Sequence, residues 1–161
     1  MASAAAVHEA SHAVAAWSYG LKLHASSVME GRGHAGMSWL AEGDLEANPL
    51  HVAATLLSGE IGEKIYQGRP ARFNWLRQHH DADSAGRLCD SWPDPLKARR
   101  MAELMAESLL RVRWKAVMAL AEELDQRHVL TGEEVDRICK ATGIKKAGVR
   151  AIASPRSQSR W

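Results

Sequence analysis

The sequence predicts a mainly α-helical protein: a bundle of about five helices with a small β-hairpin after the first. Three observations carry that prediction. An alanine-rich run over 2–17 favours helix. Two long stretches, 50–65 and 96–126, keep apolar residues at helical spacing. Asn48-Pro49 and Asp94-Pro95 supply helix starts, and Gly20 and Gly68 supply stops.

The first helix starts near Ser3 and ends before Gly20, a residue suited to the left-handed position that closes helices. Val7, Val14 and Trp17 are its core candidates. From 21 to 40 the pattern changes. Leu23, Ala25 and Val28 fall among polar residues, glycines 31, 33 and 36 break the run, and Met37, Trp39 and Leu40 follow. This reads as a short hairpin or two small strands. Residues 41–46 form an acidic loop.

Asn48 as N-cap and Pro49 as first helical residue open the second helix. Leu50, Ala53, Ala54, Leu57, Ile61 and Ile65 mark its apolar positions. Gly59 and Gly62 within it predict the close approach of another helix, since glycine otherwise costs stability there. The first helix is the expected partner. An irregular connection over 69–80 leads to a short helix, 81–90, with Ala85 and Leu88 inward. Asp94 and Pro95 then open a helical pattern that runs to 126. At ~1.5 Å per residue it would approach about 45 Å, a length that leaves room for a break. Thr131-Gly132-Glu133-Glu134 is a capping-box pattern that begins a last helix through Val135 and Ile138. Residues 1–143 are read as one domain. Residues 144–161, basic and serine-rich, are read as a flexible tail.

Composition narrows the function classes. A chain of 161 residues, 46% hydrophobic and 25% charged, is ordinary for one globular core. A formal charge of +2 argues against a nucleic-acid surface. A nucleic-acid role for Lys145, Lys146, Arg150, Arg156 and Arg160 is the weakest reading, because short basic tails are ordinarily just solvated. Cys89 and Cys139 are too few for a disulfide framework and read as reduced thiols of a cytoplasmic protein. No signal peptide is visible, and no apolar run reaches the roughly 20 residues of a membrane span.

The chemistry is concentrated in His8-Glu9-Ala10-Ser11-His12. On a helix, positions i and i+4 share a face, so His8 and His12 can offer two imidazole nitrogens to one metal ion. Glu9, about 100° round the helix, can reach a water on that metal and act as general base. Three protein ligands with a fourth position open is the pattern of catalytic Zn²⁺. The third ligand stays open at this point. A metzincin would need histidine where the chain has Ser18, and glycine where it has Ala15. A thermolysin-like arrangement would use Glu60 or Glu63. An aspartate of the cluster His79-His80-Asp81-Ala82-Asp83 is the third option, weighed against an ordinary acidic helix start.

These features, in this order, resemble the peptidase domain of the FtsH family of ATP-dependent zinc metalloproteases. His8–Ala13 (HEASHA) is similar to that family's HEAGHA, and 31–39 (GRGHAGMSW) to its glycine-containing hairpin. Residues 57–68 (LSGEIGEKIYQG) resemble its GGRAAEELVFG helix. Residues 80–88 (HDADSAGRL) sit where the family has NDL-x-x-A-x-x-L-A, and 130–135 (LTGEEV) resembles a segment near its end. The likeness runs over roughly 1–140. It implies the family's fold and a third zinc ligand from the NDL aspartate. Counting from Asp81 to Ala85 and Leu88 matches that pattern, whereas Asp83 leads to Arg87 and Asp90, so Asp81 is chosen with Asp83 as alternative. Glu63 takes the place of a family glutamate and is a candidate to orient a ligand imidazole. Ser11 stands where the family has glycine, adding a side chain that a packed neighbour must accommodate.

The resulting expectation is a zinc-dependent metallopeptidase acting on unfolded or flexible polypeptides, with Glu9 catalytic and Zn²⁺ held by His8, His12 and Asp81. There is no G-x-x-x-x-G-K-[ST] motif, so unfolding would need a separate ATPase, and a homo-oligomer is the other assembly considered. The rival reading is a non-catalytic interaction or regulatory module that keeps the fold, with or without the metal.

Overall fold

The computed structural model describes residues 1–21, 25–27 (backbone only), 48–76 and 79–143. Among these are six helices and two short strands. They are α1 (Ala4–Ser18), β1 (Ala25–Ser27), α2 (Pro49–Tyr66), α3 (His80–Asp90), α4 (Pro95–Val112), α5 (Trp114–Arg127), β2 (Val129–Thr131) and α6 (Gly132–Ala141). The protein is mainly helical, as the periodicity implies. None of its described helices is long and apolar enough to cross a membrane.

The core is built around α1 and α2. Every residue of α1 from Ala6 to Ser18 is buried except His8. In α2 every residue from Leu50 to Gly62 is buried. Helices enclosed on all sides need small residues where their backbones meet: alanine and serine dominate α1, and α2 places Gly59 and Gly62 at the crossing. A Cβ added at Gly62 would lie 2.7 Å from Ser11 Cβ and closer still to its hydroxyl. The close approach expected from Gly59 and Gly62 is therefore real, and its partner is α1. Gly62 also provides the room that Ser11 needs. The Ser11 hydroxyl donates to the Val7 carbonyl at 2.7 Å, so it is satisfied in its buried setting.

Around this pair, α5 and α6 lie against α1, while α3 and α4 lie against α2. Val7, Val14, Leu57, Ile61, Leu110, Val117, Leu120 and Leu124 fill the interior. Full burial of each such side chain contributes about 1.5–3 kcal/mol. Two tryptophans add hydrogen bonds between elements: Trp17 Nε1 donates to Asp136 Oδ1 at 2.9 Å, and Trp75 Nε1 to Glu103 Oε1 at 2.6 Å.

Most helix boundaries fall where the local signals put them. Ser3 caps α1, accepting from Ala6 N–H, and Gly20 and Gly68 take φ of +70° and +67° beyond α1 and α2. Asp94 caps α4 through Lys97 N–H, and Thr131 and Glu134 form both halves of the capping box on α6. Asn48 occupies the N-cap position of α2 but makes no side-chain cap bond there.

Three expectations are revised. The long 96–126 pattern divides into α4 and α5 at Arg113, so the described residues hold six helices where about five were expected. At that break Val112 is 80% exposed, and Leu104 on α4 also faces out, so the apolar pattern there overstates the core. The strand near residue 25 does not pair within a local hairpin in the described structure. β1 runs antiparallel to β2, with Ser26 opposite Leu130. The rest of the expected hairpin, the acidic loop 41–46 and the tail 144–161 lie outside the described residues.

The connection from α2 to α3 positions the site. Buried Glu60 on α2 accepts the Asn74 N–H at 2.9 Å through Oε1, the oxygen that also pairs with Lys64. Buried Glu103 on α4 holds the Trp75 indole. Two carboxylates thus tie down the strap that delivers the start of α3 to the face of α1.

Candidate metal centre

His8 and His12 are one turn apart on α1, and their Nε2 atoms lie 3.1 Å from each other. Asp81, in the first turn of α3, brings Oδ2 to 3.5 Å from His12 Nε2. The three ligand atoms of His8, His12 and Asp81 all lie within 4.8 Å of one another. Bonds of 2.0–2.1 Å to a tetrahedral Zn²⁺ correspond to ligand–ligand separations of about 3.3 Å. Two of the distances are close to that value.

The rings are held in the orientation a metal needs. His12 is buried, and its Nδ1 donates to the Thr55 carbonyl of α2 at 2.7 Å. A carbonyl can only accept, so Nδ1 carries a proton, and in the neutral ring the Nε2 lone pair faces the site; in the charged ring Nε2–H points to Asp81 instead. His8 Nδ1 lies 3.4 Å from Glu63 Oε2, which orients the second ring in the same sense. Both are the outer contacts through which proteins fix ligand imidazoles.

Gly59 makes the convergence possible. A Cβ built there would lie 2.7 Å from His8 Cδ2, and nearer still to Nε2 of both rings. The imidazoles therefore meet over bare backbone on α2.

Glu9 completes the arrangement. It is 1% exposed, its Oε1 lies 4.0 Å from His8 Nε2, and its Oε2 has no hydrogen-bond partner among the described residues. A buried, unsatisfied carboxylate oxygen is costly, so its place beside the two imidazoles makes Glu9 a candidate functional group. Burial pushes the Glu9 carboxyl above its ordinary range, outweighing the opposite pull of His12 and His8. Burial also works against a charged His12, yet Asp81 and Glu9 outweigh it and hold that imidazole above its usual value. Asp81 is desolvated too, but its hydrogen bond to His12 and the charge of the surrounding histidines bring it below the usual carboxylate range. Two imidazoles among the carboxylates of Glu9, Glu63 and Asp81 form a donor set suited to a divalent cation.

The structure thus brings His8, Glu9, His12 and Asp81 together. Asp83, the alternative to Asp81, is exposed on α3. Glu63 sits at the outer nitrogen of His8, and Glu60 is engaged with Lys64 and Asn74, so the thermolysin-like placement of a third ligand on α2 is not what forms. Two contributors escape a reading by residue type. The Thr55 ligand-orienting group is a main-chain carbonyl, which leaves no mark in the sequence. Gly59 was legible as a packing position, but not as the floor of the site.

Neither the models of known protein families nor the curated proteins compared with this chain yield a match.

Proposed function

We propose that this protein is a zinc-dependent metallopeptidase with a fold like the FtsH peptidase domain, acting on unfolded or flexible polypeptides. The observation that carries the proposal is the buried Glu9, whose unpaired Oε2 sits beside the converging His8, His12 and Asp81. Structural packing alone gives no reason to bury that carboxylate. Zn²⁺ held by the three ligands would supply Lewis acidity, lowering the pKa of water and polarising a peptide carbonyl. Glu9 Oε2 takes the proton that the attacking water gives up and passes it to the departing amine, and its raised affinity for protons suits that role. Thr55 and Glu63 keep both imidazoles aimed, and Asp81 supplies the anionic ligand. The order of motifs shared with the FtsH peptidase supports the same reading. Substrates would be already unfolded or delivered by an ATPase, in a cytoplasmic setting.

Glu9→Gln tests it. The variant should bind zinc like the parent and lose at least about a hundredfold in casein cleavage, the scale of general acid–base catalysis. Undiminished cleavage would remove Glu9 from the mechanism. A zinc-loaded parent that never cleaves casein, alone or with an ATPase partner, would instead favour the non-catalytic module.

A further inference from the structure

One stretch of α2 carries two residue pairs, Gly59 with Glu63 and Glu60 with Lys64, each four apart and each on its own face of the helix. Gly59 and Glu63 face α1: the glycine is the floor under both imidazoles, and Glu63 lies against His8 Nδ1. Glu60 and Lys64, about 100° round the helix, face the strap that leads to α3. Lys64 Nζ donates to Glu60 Oε1 at 2.5 Å and to the Arg72 carbonyl. The same Oε1 accepts the Asn74 main-chain N–H at 2.9 Å. Acid and base thus each hold a main-chain group of the strap, and Asn74 lies seven residues before Asp81.

Lys64 is 16% exposed and Glu60 9%. The attraction within a buried ion pair hardly offsets its desolvation, so stability alone does not account for this one. Position does. α1 and α3 both pack on α2 but hardly on each other, so their own contact does not set Asp81 opposite His12. The residues that α3 buries, Ala82, Ala85, Gly86 and Cys89, are small and interlock shallowly with a neighbour. The strap therefore governs where α3 begins. We infer that the Glu60–Lys64 pair is a positioning element of the metal centre, which sets the reach of Asp81 and acts on the metal through that residue alone. The inference rests on the metal-binding reading of His8, His12 and Asp81.

The double variant Glu60→Gln with Lys64→Met tests it. Lys64→Met alone would strand the Glu60 carboxylate in its buried setting. The double variant buries no lone charge, leaves the net charge unchanged and keeps an acceptor for Asn74, but loses the grip on the Arg72 carbonyl. Zinc affinity is measured on the full chain by competition with chromogenic chelators of graded strength, and a thermal melt without metal checks the fold. The double variant should melt cooperatively and bind zinc about tenfold more weakly, the low end for disturbed outer contacts. In an Asp81→Ala background, where His8 and His12 alone hold the ion, the same two changes should alter affinity by less than about twofold. Parental affinity in the double variant would overturn the inference while leaving the metal site intact. An equal loss in the Asp81→Ala background would overturn it too, because the pair would then act on the whole protein and not through Asp81. So would a double variant that does not fold, which would make the pair a general stabiliser. A parent that binds no zinc would overturn both this inference and the proposed function.

Discussion

An alanine at position 59 would drive its methyl into the space where His8 and His12 bring their Nε2 atoms together. The helix itself would gain, since alanine is about 1 kcal/mol better than glycine in a helix interior. The cost falls on the site: both rings must swing away, and His12 must strain or release its hydrogen bond to Thr55. Gly59→Ala should therefore reduce zinc affinity by on the order of a hundredfold, the upper range for disturbed ligand geometry, while far-ultraviolet dichroism stays helical. Parental affinity in a zinc titration would show that the rings do not depend on that bare backbone. The sequence made the α1 residues legible because ligand chemistry repeats at i and i+4. Asp81 was harder. Asp83 and Glu63 have the same donor chemistry, so residue type did not single it out; the spacing to Ala85 and Leu88 favoured it over Asp83, and the placement of α3 against α1 brings it to His12. Thr55 was beyond reach, because its contribution comes from an atom every residue has.

Between elements, the crossing of α1 and α2 depends on a complementary pair of sizes. Ser11 on α1 fills the space left by Gly62 on α2. Gly62→Ala should overpack the crossing and cost about 1–3 kcal/mol in denaturant unfolding. The double variant Ser11→Gly with Gly62→Ala removes the clash, and its stability should exceed the sum of the single effects by at least about 1 kcal/mol. Additive losses would mean that the helices slide apart instead of meeting there. The same scale shows what local patterns can carry. Caps at Ser3, Asp94 and Thr131 are short-range hydrogen bonds, so they could be read from neighbouring residues. The β1–β2 pairing joins three-residue strands about a hundred positions apart and has no local signature. Length alone left room for a break and nothing local placed it at Arg113, since the apolar spacing continues on either side.

At the scale of the whole molecule, the three proposed ligands come from two helices that pack on α2 but hardly on each other. Metal bound by His8, His12 and Asp81 would join α1 to α3 directly. A ligand that binds only the folded state stabilises it by mass action, about 2.7 kcal/mol at a free concentration 100 times its Kd. For a chain of this size 1 kcal/mol corresponds to roughly 2–4 °C, so saturating zinc should raise the melting temperature by about 5–10 °C. Chelation should reverse the shift. Asp81→Ala should abolish most of it, because that variant leaves α1 with two ligands and no tie to α3. Neutral imidazoles are required, so protons compete with the metal, and the zinc-dependent shift should be smaller at pH 6 than at pH 8. A melting temperature indifferent to zinc and chelator at both pH values would refute the metal-linked assembly of α1 and α3. A shift that survives in Asp81→Ala would instead place the metal elsewhere and release α3 from the site.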